Sequence, residues 1–248
     1  MLANYEEYAN ESLKKFAERE TAKRYLLVDA VKDLKPQRVL DLGCGAGHEL
    51  LPFLEKTEAV CVGIDSAKEL GKITAEMFEK EKRAVFVRSE GEKLPFADAS
   101  FEVVLCRVSL PYMNNREAIA EISRVLKPAG VLLLKTHAPM FYFGMIFERL
   151  KTFSAKQIAY PLICLAASCW HLLTGKQLQK GFWEGKEIFQ THSFLKKEFA
   201  KNNLEVKGFL SDNNPKTPSF IVVKMALLKV FLGAQIFSET VSAGVVVL

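Results

Sequence analysis

The residues best suited to chemistry are concentrated in Val39-Leu-Asp-Leu-Gly-Cys-Gly-Ala-Gly47. Val39, Leu40 and Leu42 read as a buried strand, which breaks into glycines at 43, 45 and 47 around Cys44. Glycine has no Cβ, so it accepts positive φ and lets a ligand lie against the backbone. A short helix is expected from His48 onward. A second apolar run, Ala59 to Ile64, ends in Asp65, eighteen residues beyond Gly47. An acid at about that distance can accept the two hydroxyls of a ribose. An adenosine-type ligand follows.

The spacing is G-x-G-x-G rather than the G-x-G-x-x-G of a dinucleotide turn, and an acid, Asp41, precedes it inside the strand end. A carboxylate there would repel a pyrophosphate but suits a cationic or zwitterionic ligand. The stretch resembles the D-x-G-C-G-x-G motif of class I S-adenosylmethionine (SAM)-dependent methyltransferases, in particular the small-molecule (type 11) superfamily. Three further segments carry the same resemblance. They are Arg88-Ser-Glu-Gly-Glu-Lys-Leu-Pro-Phe96, the strand and turn from Ala99 through Arg107, and Glu117 to Gly130 with the apolar strand that follows. The resemblance covers about residues 37–135. It implies SAM as cofactor and S-adenosylhomocysteine as product. It also implies a cofactor site built from Asp41, Gly43, Cys44, Gly45 and Gly47, from Asp65 and Ser66, and from Glu90 at the adenine amino group. The Gly91–Glu92 backbone would face the ring, and Arg107 would lie beside the donor.

Methyl transfer from a sulfonium is an in-line displacement, so positioning supplies much of the catalysis. A hydroxyl acceptor must also lose a proton. His137, just beyond the fifth strand, is the candidate base; Arg107 could instead hold an acceptor carboxylate or phosphate. The turn Arg107-Val-Ser-Leu lacks the Asn-Pro-Pro-Tyr type of sequence found in nucleic-acid amino methyltransferases, and a net charge of +5 is no nucleic-acid signature. No nucleic-acid partner is expected. Five cysteines without a C-x-x-C pair read as reduced thiols, with no metal site expected.

These residues must be positioned by alternating strands and helices from 38 to 135, which predict right-handed crossovers and a doubly wound α/β sheet. Ser66 is read as the cap of a helix running to about Glu81. Lys127-Pro-Ala-Gly130 is expected to separate a one-faced helix from a strand over 131–134. An antiparallel pair, Glu205–Leu210 and Ser219–Lys224, would complete a seven-stranded, mostly parallel Rossmann-like sheet with a reversed edge strand. One domain is expected over 1–248. Residues 1–35 would form a helical cover, 138–190 an apolar helical insertion after the fifth strand, and 225–248 an apolar tail.

The insertion has three readings: a buried lid over an apolar acceptor pocket, an interfacial membrane helix pair flanked by lysines, or a membrane span. The acceptor is read as a small, apolar molecule methylated on oxygen or carbon, such as an isoprenoid, quinone precursor or lipid-linked molecule. A glycan or polyketide-like metabolite is the alternative acceptor. Two other readings stay open: a non-catalytic SAM-binding, membrane-associated partner subunit, and a dinucleotide oxidoreductase. The opening residues carry acids and no apolar run, so a cytoplasmic protein is expected, peripheral at a membrane, with a homodimer as one expected assembly.

Overall fold

The structure is a computed structural model and describes residues 5–69, 74–75, 77–151, 154–178, 181–183 and 185–226. The apolar tail lies outside them beyond 226. Seven strands form one sheet: β1 (Arg38–Leu42), β2 (Val60–Asp65), β3 (Ala84–Arg88), β4 (Phe101–Arg107), β5 (Leu126–Lys135), β6 (Leu204–Phe209) and β7 (Ser219–Lys224). Their order is β3-β2-β1-β4-β5-β7-β6. The first five strands pair in parallel, and β7 runs antiparallel to both β5 and β6. This is the doubly wound, seven-stranded Rossmann-like sheet, with its reversed strand at the β6 end.

Alternate residues of a strand face opposite sides of a sheet, and here both sides are covered. On one side Leu40, Val104 and Leu132 pack with Ile119, Ile122 and Phe199 from α5 (Asn115–Val125) and α8 (His192–Lys201). On the other, Val39, Val103, Leu105 and Leu133 pack with Leu27, Val28 and Phe53 from α3 (Leu26–Ala30) and α4 (Leu51–Lys56). Burial on both sides accounts for the unbroken apolar runs in these strands. The segment 1–35 is divided, where described, into α1 (Tyr5–Ala17), α2 (Thr21–Arg24), α3 and a 3₁₀ turn, Lys32–Leu34.

Two expected boundaries shift. Residues 66–69 are not helical; helical residues are described at 74–75 and 77–78, and 70–73 and 76 lie outside the description. The Asp65 carboxylate accepts from Ala67 N at 3.0 Å, so Asp65 rather than Ser66 organises this turn. β5 also starts at Leu126, which pairs with Phe101; pairing resumes at Val131 opposite Val103, so Lys127-Pro-Ala-Gly, with Ala129 at a positive φ of 62°, bulges within the strand.

The insertion forms a helical pair, α6 (Pro139–Leu150) and α7 (Ala155–Thr174). The Arg149 guanidinium joins the end of α6 to the start of α7 by donating to Gln157 O at 3.0 Å. Thr191 caps α8, accepting from Phe194 N at 3.2 Å. Thr191→Ala is expected to cost about 1 kcal/mol, read as a shifted urea midpoint with unchanged slope.

Candidate functional site

Functional side chains converge at the carboxyl ends of β1, β2 and β4, the usual ligand crevice of an open α/β sheet. Leaving β1, the chain folds back through Gly43, Gly45 and Gly47, with φ of 74°, 54° and 79°. Gly43 N and Cys44 N donate to Ile64 O at 2.8 and 2.9 Å, fastening the loop to β2. Gly45 N donates to the Asp65 carboxylate at 2.9 Å. A Cβ on Gly43 would lie 2.2 Å from Ser109 Cβ, and one on Gly47 would lie 2.7 Å from the Phe86 ring. The loop therefore needs glycine for conformation and for space.

Two adjoining cavities share Gly43, Gly45, Arg107 and Val108. The larger, about 750 Å³, is bordered by Asp65, Ser66, Glu90, Gly91 and Glu92, and by Tyr112, Met113 and Trp183 on another side. All the expected adenosine-side residues are thus brought together. Asp65 is partly engaged by the backbone, but each carboxylate oxygen has a second lone pair for a hydroxyl. The Glu92 carboxylate is turned away to Asn114 N, 2.6 Å, at the start of α5, which leaves its backbone beside the cavity.

The second cavity, about 460 Å³, contains Asp41, Cys44, His48, Glu49, Arg107, Lys135 and Asp212. Lys15 and Lys23 border it from α1 and α2, as does Arg19 from the link between them, and Arg19 is held by Glu49 at 2.9 Å. Four side chains here keep a buried polar atom with no hydrogen-bond partner among the described residues: Asp41 Oδ2, His48 Nδ1, Arg107 Nε and Asp212 Oδ1. Buried polar groups are normally satisfied. Orphaned acceptors and donors in one cavity fit a ligand carrying both an ammonium and a carboxylate, as the methionine end of SAM does.

Asp41 is 2% exposed. Burial first, then the charges of Glu49 and Asp65, push its carboxyl well above the usual range, against the opposing Arg107 guanidinium. A raised folded-state value favours the neutral acid. The associated stability is present below the ordinary carboxylate range and is lost as pH rises through the raised value. Asp41→Asn should therefore raise the Tm of the cofactor-free protein at pH 7 and above, by about 2–4 °C per kcal/mol gained. It should also weaken SAM binding about tenfold or more, because a cationic ligand loses its counter-charge. Thermal melts with and without ligand, across pH, check both.

Arg107 donates to Asp212 at 2.5 Å and to Ser219 Oγ at 2.7 Å, while Lys135 Nζ reaches Asp212 at 2.6 Å. Arg107 is thus a wall between the cavities, held by the β6–β7 turn. Burial pulls the Asp212 carboxyl up, but Arg107, Lys135 and Ser219 together hold it below its ordinary value. His137 lines neither cavity. It is 7% exposed, its Nδ1 lies 2.6 Å from the Glu187 carboxylate, and Phe141 stacks on its ring at 3.7 Å. Tyr142 and Tyr160 donate to the same Glu187 at 2.9 and 2.8 Å. The arrangement ties β5, α6, α7 and the returning chain into one buried network.

The insertion, read as a buried lid over an acceptor pocket, meets the cavities only through its returning segment among the described residues. No residue of α6 or α7 lines either cavity; from the insertion, Trp183, Gly185 and Lys186 of the returning segment do. Sequence reasoning also missed Ser109, Met113, Lys135 and Asp212. Asp212 lies in a polar turn like many others, and only the pairing of β5 with β7, Lys135 opposite Ser219, brings it to the site.

Residues 40–134 match a family described as a methyltransferase domain. The chain is 38% identical over 138 residues to the uncharacterized methyltransferase YcgJ of Bacillus subtilis, covering 54% of this chain and 52% of that protein. It is 30% identical over 149 residues to the uncharacterized protein MJ1123 of Methanocaldococcus jannaschii, covering 59% and 67% respectively. The chain thus spans between about half and two thirds of the length of these relatives. A SAM-dependent methyltransferase from Methanosarcina mazei shares the fold, with a TM-score of 0.53 at 20% identity, over 76% of this chain and 92% of that one. Motif, sheet order, cavity chemistry and these likenesses agree: the chain belongs to the class I SAM-dependent methyltransferase family.

Proposed function

We propose that this protein transfers a methyl group from SAM to a small, lipophilic acceptor. The observation that carries the transfer reading is the pair of joined cavities. One is fitted by its orphaned polar atoms to the methionine end, the other by Asp65 and Glu90 to adenosine, with Arg107 and Val108 between them. When bound, SAM would supply the electrophilic methyl. Asp41 would balance the ligand's positive charge, Asp65 would hold the ribose, and the glycine loop would fix the approach. The acceptor would enter by Tyr112, Met113 and Trp183, an aromatic and apolar rim consistent with a lipophilic molecule. Since His137 is engaged by Glu187 and lines neither cavity, the chain acts chiefly by positioning.

The test supplies purified protein with methyl-labelled SAM and a membrane-containing lysate, then partitions the products. Label is expected in the organic phase and absent with Asp41→Ala. Label in the aqueous or protein fraction would overturn the lipophilic acceptor. Intact SAM binding with no label anywhere would favour a non-catalytic SAM-binding subunit.

A further inference from the structure

We propose that the outer face of the α6–α7 pair is a docking surface for a lipid bilayer bearing anionic headgroups. This inference goes beyond the transfer reading. It rests on the surface alone and is read without turnover, so its failure and that of the proposed reaction are distinguishable.

The inward face of α7 carries Cys164, Ala167, Ser168 and His171, all buried. The opposite face carries Leu162, Ala166, Cys169, Trp170 and Leu173, all exposed. A helix that merely capped a soluble domain would be polar on that side. Here the outer face has no charge, and the segment Gln157–Thr174, of mean hydropathy 1.3, is only 28% buried. By length and composition it could also cross a membrane, but its inward face is already committed to the domain. Met140, Phe143, Phe147 and Leu150 form a matching exposed stripe on α6. Phe147 and Leu173 are 69% and 86% exposed, a heavy cost in water for side chains of that size. Contiguous apolar surface of this kind marks an interaction site.

Charge identifies the occupant. Among the described residues, Arg149 and Lys151 stand at the end of α6 and Lys176 just past the end of α7, against one exposed acid there, Glu148. An apolar face with basic residues at the ends of its helices and a tryptophan on it fits the interfacial region of an anionic membrane. The chain beyond 226 is a weaker candidate occupant. β7 begins beside the end of β5, where the insertion starts, and ends at Lys224 near the opposite end of the sheet. The described chain therefore ends on the far side of the sheet from the start of the insertion.

The experiment floats full-length protein with vesicles of phosphatidylcholine alone and of phosphatidylcholine mixed with phosphatidylglycerol. It compares wild type with the double variant Phe147→Glu/Leu173→Glu and with a deletion of residues 227–248. S-adenosylhomocysteine binding reports that each protein is folded. Wild type and the deletion are expected to float with the mixed vesicles, less so at high salt, and the double variant about tenfold less or not at all. Wild type that binds S-adenosylhomocysteine but stays with the soluble fraction would overturn the proposal. So would a double variant that floats as well as wild type, or loss of flotation in the deletion alone. A lipid-free dimer that the double variant dissociates would assign the face to a second copy instead.

Discussion

Gly43→Ala is expected to destabilise the protein by about 2–4 kcal/mol and to reduce S-adenosylhomocysteine affinity at least about tenfold. Two costs combine. The residue sits at a φ of 74°, where a side chain is strained by about 1–2 kcal/mol. The new methyl would also fall 2.2 Å from Ser109 Cβ and 2.7 Å from its Oγ. Ser109 cannot readily yield, because its hydroxyl donates to Leu42 O at 2.5 Å and touches Cys106 Sγ at 3.2 Å. Relief must come from the loop, which would drag the Gly43 and Cys44 amides off Ile64 O and disturb both cavities together. Urea unfolding and calorimetric titration read the two effects. Adding Ser109→Gly should restore part of the stability by removing the overlap while leaving the φ strain. No recovery in that double variant would contradict the steric half of the argument.

Removing Glu187 should cost about as much, for a different reason. Its carboxylate is 4% exposed and accepts from His137, Tyr142 and Tyr160. Glu187→Ala leaves three donors unpaired, two of them buried, and a hole among them, a loss of about 3–5 kcal/mol. Glu187→Gln keeps the shape and an acceptor and should lose less. Burial pulls the Glu187 carboxyl up, but hydrogen bonding and charge from His137, then the two tyrosine hydroxyls, outweigh it and hold it below the ordinary value. With a depressed folded-state value, the contribution is present above the ordinary carboxylate range and is lost as pH falls through the lower one. Wild type should therefore lose stability in that acid window, and Glu187→Ala should show a shallower decline there. A series of urea midpoints against pH measures it; parallel curves would show that Glu187 does not titrate as described. Since none of the four residues lines a cavity, cofactor affinity should fall far less than in Gly43→Ala.

The two residues were unequally legible. Gly43 stands in a motif whose parts are adjacent in the chain, so residue type and spacing alone state the demand for positive φ beside a buried strand. The same holds for Asp41, for Asp65 at the end of the next apolar run, and for the alternation that builds the parallel sheet. In each case the physical requirement is local, being a turn, a cap or a buried face. Glu187 lies 50 residues from His137, in a segment with no periodic pattern, and nothing near it in sequence distinguishes it from a solvated acid. The same is true of Asp212, which reaches Arg107 across 105 residues.

Sequence by itself determined the α/β class, the glycine loop, and Asp41, Asp65 and Glu90 among the acids that border the two cavities, because local sterics and hydrophobic periodicity fix those. Tertiary structure decided three other matters. It withdrew His137 from the cavities by giving it a buried carboxylate partner. It completed the charged cavity with Asp212 and the amino-terminal cations. It also turned the apolar side of the α6–α7 pair outward, because the inward side of the pair was already taken up by the Glu187 network and the buried face of α7. Only packing determines which apolar residues are covered, and periodicity alone does not carry that information.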